Sequence, residues 1–277
     1  MSSSPRFPLP SDLRLVVTDM DGTLLRPDGT TPEGLWPILA ELRERGVLFA
    51  AASGRQHGSL TRIFEERADG VVYIADNGCL VVENGEVIST TPLDLSAAER
   101  MVHTARDLSR RLGIGLVWSG PRSAYVERGD ERTYSGSQQY YAAMELVDDL
   151  LDIGEPPLKV AFYGPDGFTE ETVATITRAA GSSRTLVSGR RWVDVQNPVA
   201  DKAVGVRDLQ ARHGIGPDQT VVFGDFLNDL QLMGTATYSY AMANAHPEVL
   251  AAAAYRAPNN AEQGVIQVLN QILEPKK

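Results

Sequence analysis

The chain has 277 residues, 43% of them hydrophobic, a formal net charge of −10 and a single cysteine. That length and composition allow one large domain or two modest ones with real cores and argue against disorder. An acidic chain without a basic tract is a poor binder of nucleic acid or anionic membranes, and Cys79 alone forms neither an intrachain disulfide nor a thiolate zinc cluster, which fits a reducing cytosol.

Met1 to Leu13 carries three prolines and no apolar run of signal-peptide length, so a short disordered leader is expected. No stretch approaches the ~20 apolar residues that span a bilayer, and a soluble cytoplasmic protein is the expectation. Leu15-Val16-Val17-Thr18 then reads as a strand buried on both faces. It ends in Asp19-Met20-Asp21-Gly22-Thr23, at the carboxyl end where open α/β sheets bind ligands. Two acids leaving one strand repel each other unless a cation or a proton lies between them. The pair is therefore a metal site, an acid and nucleophile, or simply a solvated turn.

Pro27-Asp28-Gly29 predicts a small hairpin flap beside the acids. Thr31 and Pro32 open a helix with inner positions Leu35, Ile38, Leu39 and Leu42, kinked by Pro37 and ended by Gly46. A second buried strand, 47–52, runs into Ser53-Gly54-Arg55, which suits an anion at a helix entrance or serves as an ordinary N-cap. A third strand, 71–75, ends at Asp76-Asn77-Gly78. Asn84-Gly85 between two apolar runs predicts a tight hairpin, with Cys79 as packing.

From residue 90 the rhythm changes to an α+β insert. A capping box of Ser96 and Glu99 opens a helix reaching about Leu112. Strands are expected over 114–119, 123–127, 158–163, 185–188 and 192–195, with helices over 138–153 and 169–180. The α/β rhythm returns with a helix from Lys202 to Gly214, inner positions Val206, Leu209 and Ala211. A strand over 220–224 ends in Asp225-Phe226-Leu227-Asn228-Asp229, more polar groups than capping needs. A strand over 237–242 and helices over 245–254 and 261–273 close the chain. The fold class is α/β, a Rossmann-like, mainly parallel core sheet from 1–85 and 196–277, with an inserted α+β domain at 86–195.

Taken together, Asp19-Met20-Asp21-Gly22-Thr23, Ser53-Gly54-Arg55, Asn77-Gly78, Lys202 and Gly224-Asp225-Phe226-Leu227-Asn228-Asp229 resemble the motifs of the haloacid-dehalogenase-type phosphatases. The order and the insert resemble the Cof-type branch, which carries a large type IIB cap, and Met242 to Val249 resembles its late segment. Ala203 and Ala243 depart from the branch, which has glycine at both places. Neither change touches a reacting group.

The resemblance implies a Mg²⁺-dependent phosphatase acting on a small phosphorylated metabolite such as a sugar phosphate. Asp19 is then the nucleophile that becomes an aspartyl-phosphate, and Asp21 the acid for the leaving alcohol and the base for water. Asp19, Asp225 and the Asp21 carbonyl hold Mg²⁺, with Asn228 and Asp229 completing the metal and phosphate surroundings. Met20, Ser53 and Gly54 bind the phosphoryl, and Lys202 neutralises it and Asp19. Asn77 touches substrate or braces its loop. Arg55 is structural or supports the residues that touch the phosphoryl. His57, His103, His213 and His246 lack metal-site spacing. Arg128, Tyr134, Arg190 and Arg191 are candidate specificity residues of the cap, which is expected to close over the site. Within the family a phosphomutase or a dedicated glycosyl-phosphate phosphatase stays open. From another class, a non-catalytic phosphoacceptor lacks an acid at the place of Asp21. The expected protein is a monomer or small homo-oligomer with no nucleic-acid or membrane partner.

Overall fold

The computed structural model describes residues 7–64, 67 and 69–273. Packing divides the chain into two compact units, one of residues 1–54, 60–89 and 201–277, the other of 55–59 and 90–200.

The first unit begins with β1 (Leu15–Asp19), α1 (Leu35–Glu44), β2 (Leu48–Ala52), α2 (His57–Phe64, shared with the second unit), β3 (Val71–Ala75), β4 (Leu80–Glu83) and β5 (Glu86–Thr90). The second holds α3 (Leu95–Leu112), β6 (Gly115–Ser119), β7 (Ala124–Glu127), α4 (Glu131–Ser137), β8 (Met144–Val147), β9 (Lys159–Tyr163), α5 (Glu170–Ala180), β10 (Arg184–Val187) and β11 (Trp192–Gln196). The chain returns to the first unit with α6 (Lys202–His213), β12 (Thr220–Gly224), α7 (Leu230–Met233), β13 (Tyr238–Met242), α8 (Pro247–Ala252), β14 (Tyr255–Ala257) and α9 (Gly264–Leu273).

The first unit's sheet has the order β14-β13-β12-β1-β2-β3-β4-β5. All pairs from β14 to β3 are parallel, and β4 runs against β3. The chain leaves β1 toward β2 on one side and comes back as β12 on the other. Strand order therefore reverses between β1 and β12, which opens a crevice beyond their carboxyl ends. Leu15, Val16 and Val17 are wholly buried, as a parallel strand covered on both faces requires. β4 and β5 meet through Asn84 and Gly85 at φ +52° and +80°, the twist-matched turn that Asn-Gly favours.

The second unit's sheet has the order β10-β11-β9-β6-β7-β8, antiparallel except for β7 with β8. One apolar cluster joins Met101, Leu108, Trp118, Phe162 and Ile176; a smaller one joins Val117, Ala161 and Tyr141.

Several expectations are corrected. The helix over 138–153 is absent; a short helix capped by Asp130 precedes it, and Met144 and Leu146 pack with the period of two of a strand. Asp94, not Ser96, caps α3, accepting from the Ala97 N–H at 2.9 Å. α1 begins at Leu35, which leaves Thr31 outside and puts Pro37 in the first turn, where its missing N–H costs nothing. Residues 26–30 form a turn without strands, closed by Arg26 N–H to the Thr30 carbonyl at 2.9 Å. Ala211 is exposed; Gln210 takes the inner place, donating to Thr220 Oγ1 (3.0 Å) and the Thr235 carbonyl (2.9 Å). β14 was not foreseen. Residues 1–6 of the expected leader lie outside the described residues. Phe7 and Pro8 are docked on the sheet, the first edge-on to Tyr240 at 6.4 Å, the second accepting the Tyr240 hydroxyl.

Candidate active site

β1 and β12 are parallel neighbours, so their ends deliver Asp19 and Asp225 side by side. After Asp19 the chain makes a wide turn closed by Leu25 N–H to the Met20 carbonyl at 2.8 Å. Gly22 takes φ +83°, and a Cβ there would stand 2.3 Å from Asp225 Oδ2, so both conformation and contact demand glycine. Thr23 Oγ1 donates to Asp225 Oδ1 at 2.9 Å. Met20 is buried, whereas Asp21 is exposed on the rim of this turn.

α6 brings the cation. Asp201 caps it, accepting from the Val204 N–H at 2.9 Å. Its first residue, Lys202, is 0% exposed and donates to Asp19 Oδ1 and, at 2.7 Å, to Asp229 Oδ1. The other Asp229 oxygen accepts the N–H groups of Asp225 (2.9 Å) and Phe226 (3.2 Å). Asp229 thus ties the lysine to the loop that carries Asp225.

Carboxylate oxygens of Asp19, Asp225 and Asp229 lie within 4.8 Å of one another. Burial, then the Asp229 charge, holds the Asp19 carboxyl well above its usual range, against the pull of Lys202. Burial also raises Asp225. Burial pulls the Lys202 ammonium down, but Asp19 and Asp229 outweigh it and hold it above its ordinary value. Three acidic side chains converge around one ammonium, which bonds Asp19 and Asp229, in a partly dry crevice. That surplus of negative charge, on hard oxygen donors, fits a divalent cation such as Mg²⁺.

The predicted phosphate-binding residues gather on the same side. Ser53 N–H donates to the Ile74 carbonyl and Asn77 N–H to the Ser53 carbonyl, both at 2.9 Å. Asp76, Asn77 and Gly78 take φ +48°, +55° and +88° in succession. At Gly78 a Cβ would stand 1.9 Å from the Asp201 carbonyl oxygen, so only glycine lets this turn reach the start of α6. Asn228 Nδ2 donates to Asn77 Oδ1 at 3.1 Å, and Gly54 lies against the same amide.

Arg55 falls in the second unit, as do Arg128, Tyr134, Arg190 and Arg191. Arg128 Nε pairs with Asp148 at 2.8 Å, Tyr134 packs on the smaller apolar cluster, and Arg190 and Arg191 are exposed. His57 belongs to α2 and His103 to α3, while His213 sits beside Glu83 and His246 caps α8. Cys79 is buried. No role was foreseen for the Thr23 hydroxyl, for Asn244, which donates to the Gly22 carbonyl at 2.8 Å, or for Asn260. Their chief sequence signal was adjacency: Thr23 ends the first motif and Asn244 lies in the late segment.

A family model of haloacid dehalogenase-like hydrolases matches residues 16–269. A 5-amino-6-(5-phospho-D-ribitylamino)uracil phosphatase of Escherichia coli, YbjI, is 31% identical over 95% of this chain and 97% of its own length. Among solved structures, a protein of Eubacterium rectale is 27% identical, with a TM-score of 0.84 over 95% of this chain and all of its own. The subclass IIB sugar phosphatase BT4131 shares the fold at 19% identity, with a TM-score of 0.74 over 94% of this chain and 98% of its own. Among the described residues no helix is long and apolar enough to cross a membrane.

Proposed function

This chain belongs to the haloacid dehalogenase-like hydrolase family and is a phosphatase, and from that premise we propose that it dephosphorylates sugar phosphates or similar small metabolites with Mg²⁺, through an aspartyl-phosphate on Asp19. One observation carries the reading. A fully buried lysine is shared by Asp19 and Asp229 while Asp225 converges on the same point.

In the first step an Asp19 oxygen attacks phosphorus and the ester P–O bond breaks. Asp21, exposed on the rim of the turn, gives its proton to the leaving oxygen. In the second step Asp21 takes a proton from water, the water oxygen attacks the same phosphorus, and phosphate leaves Asp19. Lys202 stays protonated throughout and offsets charge on Asp19 and on the phosphoryl oxygens. Ser53 and the N–H groups of Gly54 and Met20 receive the phosphoryl, with Asn77 beside them. Asp19, Asp225 and the Asp21 carbonyl would hold Mg²⁺, with Asn228 and Asp229 around it. When bound, the ion supplies Lewis acidity toward the phosphoryl oxygens.

The inserted unit, residues 86–195, serves as the substrate-selecting cap. A phosphorylated ribityl compound comes first among candidate substrates, because the Escherichia coli relative carries that name. Cys79 is the single cysteine and forms no intrachain disulfide, which suits work in the cytoplasm.

The test is hydrolysis of 4-nitrophenyl phosphate with Mg²⁺, with EDTA, and in the Asp19→Asn and Asp21→Asn variants, followed by a screen of sugar and ribityl phosphates. Turnover that needs the metal and both acids is the expected result. A stable phosphoryl label on Asp19 without turnover would favour the mutase or phosphoacceptor instead.

A further inference from the structure

The turn after β13 reaches both loops that carry the acids, yet nothing in the chemistry above uses it. Asn244 Nδ2 donates to the Gly22 carbonyl at 2.8 Å. Its Oδ1 accepts the Asn260 N–H at 3.1 Å, and Asn260 Nδ2 donates to the Leu25 carbonyl at 2.9 Å. Two residues beyond Asn244, the His246 N–H donates to the Asp225 carbonyl at 2.7 Å. The His246 ring meets Phe226 edge-on, with centroids 5.9 Å apart.

These bonds matter because of what lies between them. Asp21 immediately precedes Gly22, and Gly22 is the residue of this turn with most backbone freedom. Its φ of +83° is one of several conformations open to it. A donor on the Gly22 carbonyl selects one of them, and a second on the Leu25 carbonyl fixes the far end of the turn. The Thr23 bond to Asp225 holds the middle. The turn next to Asp21 is thus held at Gly22, Thr23 and Leu25 by segments distant in sequence.

The side chain at 244 must donate and accept at once, and an amide of this length does so. Aspartate keeps the shape and the acceptor for Asn260 but loses the donor to Gly22.

We propose that Asn244, oriented by Asn260, is a positioning residue for the general acid: it fixes the Asp21–Gly22 backbone so that the Asp21 carboxyl meets the leaving oxygen. The inference rests on the phosphatase reading of Asp21. A general acid contributes only within hydrogen-bond reach of its oxygen, and displacement by about 1 Å costs on the order of a hundredfold in rate.

The experiment compares the wild type with Asn244→Asp and Asn260→Ala in two readouts. The first is kcat/KM for 4-nitrophenyl phosphate and phenyl phosphate, two esters of similar shape. Nitrophenolate leaves without a proton, whereas phenolate needs one. Asn244→Asp should lower kcat/KM for phenyl phosphate about tenfold more than for 4-nitrophenyl phosphate, and Asn260→Ala should move it the same way by less. An equal fall for both esters, or none, overturns the proposal. The second readout is amide hydrogen exchange without substrate. Leu25 and Arg26, bonded to the Met20 and Thr30 carbonyls, should exchange about tenfold faster in Asn244→Asp, with Val16 and Val17 unchanged. Unchanged exchange at Leu25 and Arg26 overturns the proposal whatever the kinetics. A wild type inert toward both esters sinks the phosphatase reading, and exchange then still decides whether Asn244 holds the turn.

Discussion

Replacing Lys202 with methionine isolates what holds the acids together. The lysine is wholly buried and binds two carboxylates whose side chains are 7% and 0% exposed, Asp19 and Asp229. Methionine fills much of the same volume, so packing changes little, but two buried carboxylates lose their counter-charge. Breaking a buried pair by removing one partner costs about 3–5 kcal/mol. The Asp229 bonds to the N–H groups of Asp225 and Phe226 survive, which puts the expected loss at the lower end, about 3 kcal/mol. Urea unfolding in EDTA at pH 7.5 measures it. The loss should shrink as pH falls. Asp19 is held above its ordinary value by burial, so its ionised form opposes folding; protonation at low pH removes that cost, and with it the need for the lysine. A loss below about 1 kcal/mol, or one that grows on acidification, would refute the reading of Lys202 as the counter-charge of this cluster.

Other expectations follow from the same geometry. Mg²⁺ should raise the melting temperature more at pH 8 than at pH 5, because Asp19 and Asp225, both raised by burial, must shed protons to bind it; thermal scans with and without EDTA read the difference. Gly78→Ala should destabilise far more than Gly85→Ala. Both take positive φ, but a Cβ at 78 would stand 1.9 Å from a backbone oxygen and one at 85 meets nothing within 4 Å. In urea unfolding the hairpin variant should lose about 1 kcal/mol and the Gly78 variant several times that. Asp94→Ala should cost about 1 kcal/mol as a lost helix cap, whereas Ser96→Ala should cost about 0.5 kcal/mol or less; the reverse order would return the cap to Ser96.

The central strands and the acids were legible because their signals are local. A short, nearly continuous apolar run that ends abruptly in polar residues or glycine reads as a covered strand, and β1, β2, β3 and β12 obeyed that rule. Asn84-Gly85 and Gly214 announced their backbone conformations through residue type alone. Where two periods competed, local reading failed. Met144, Val147 and Leu151 also have the spacing of a helical stripe, and only pairing with β7 selects the strand. β14 is three residues long, too short to show a period. Within the site, the types and positions of Asp19, Lys202 and Asp225 could be read, but the sharing of one lysine by Asp19 and Asp229 could not. It follows from sheet order, a property of pairing between distant segments. The Asn244–Asn260 relay was invisible for the same reason.

The neighbour relation between β1 and β12 also sets a timetable. Thr23 and its partner Asp225 are 202 positions apart, which at about 5–20 residues per second is roughly 10–40 s of synthesis. Throughout that interval β1 has emerged with one hydrogen-bonding edge unpartnered, to which chaperones or other chains can add a strand. Asp19 exists from the start, while the cluster it forms with Lys202, Asp225 and Asp229 does not until the last third of the chain arrives. A chain truncated before residue 220 therefore carries Asp19 on an open edge with no β12 beside it. It would sooner aggregate than act.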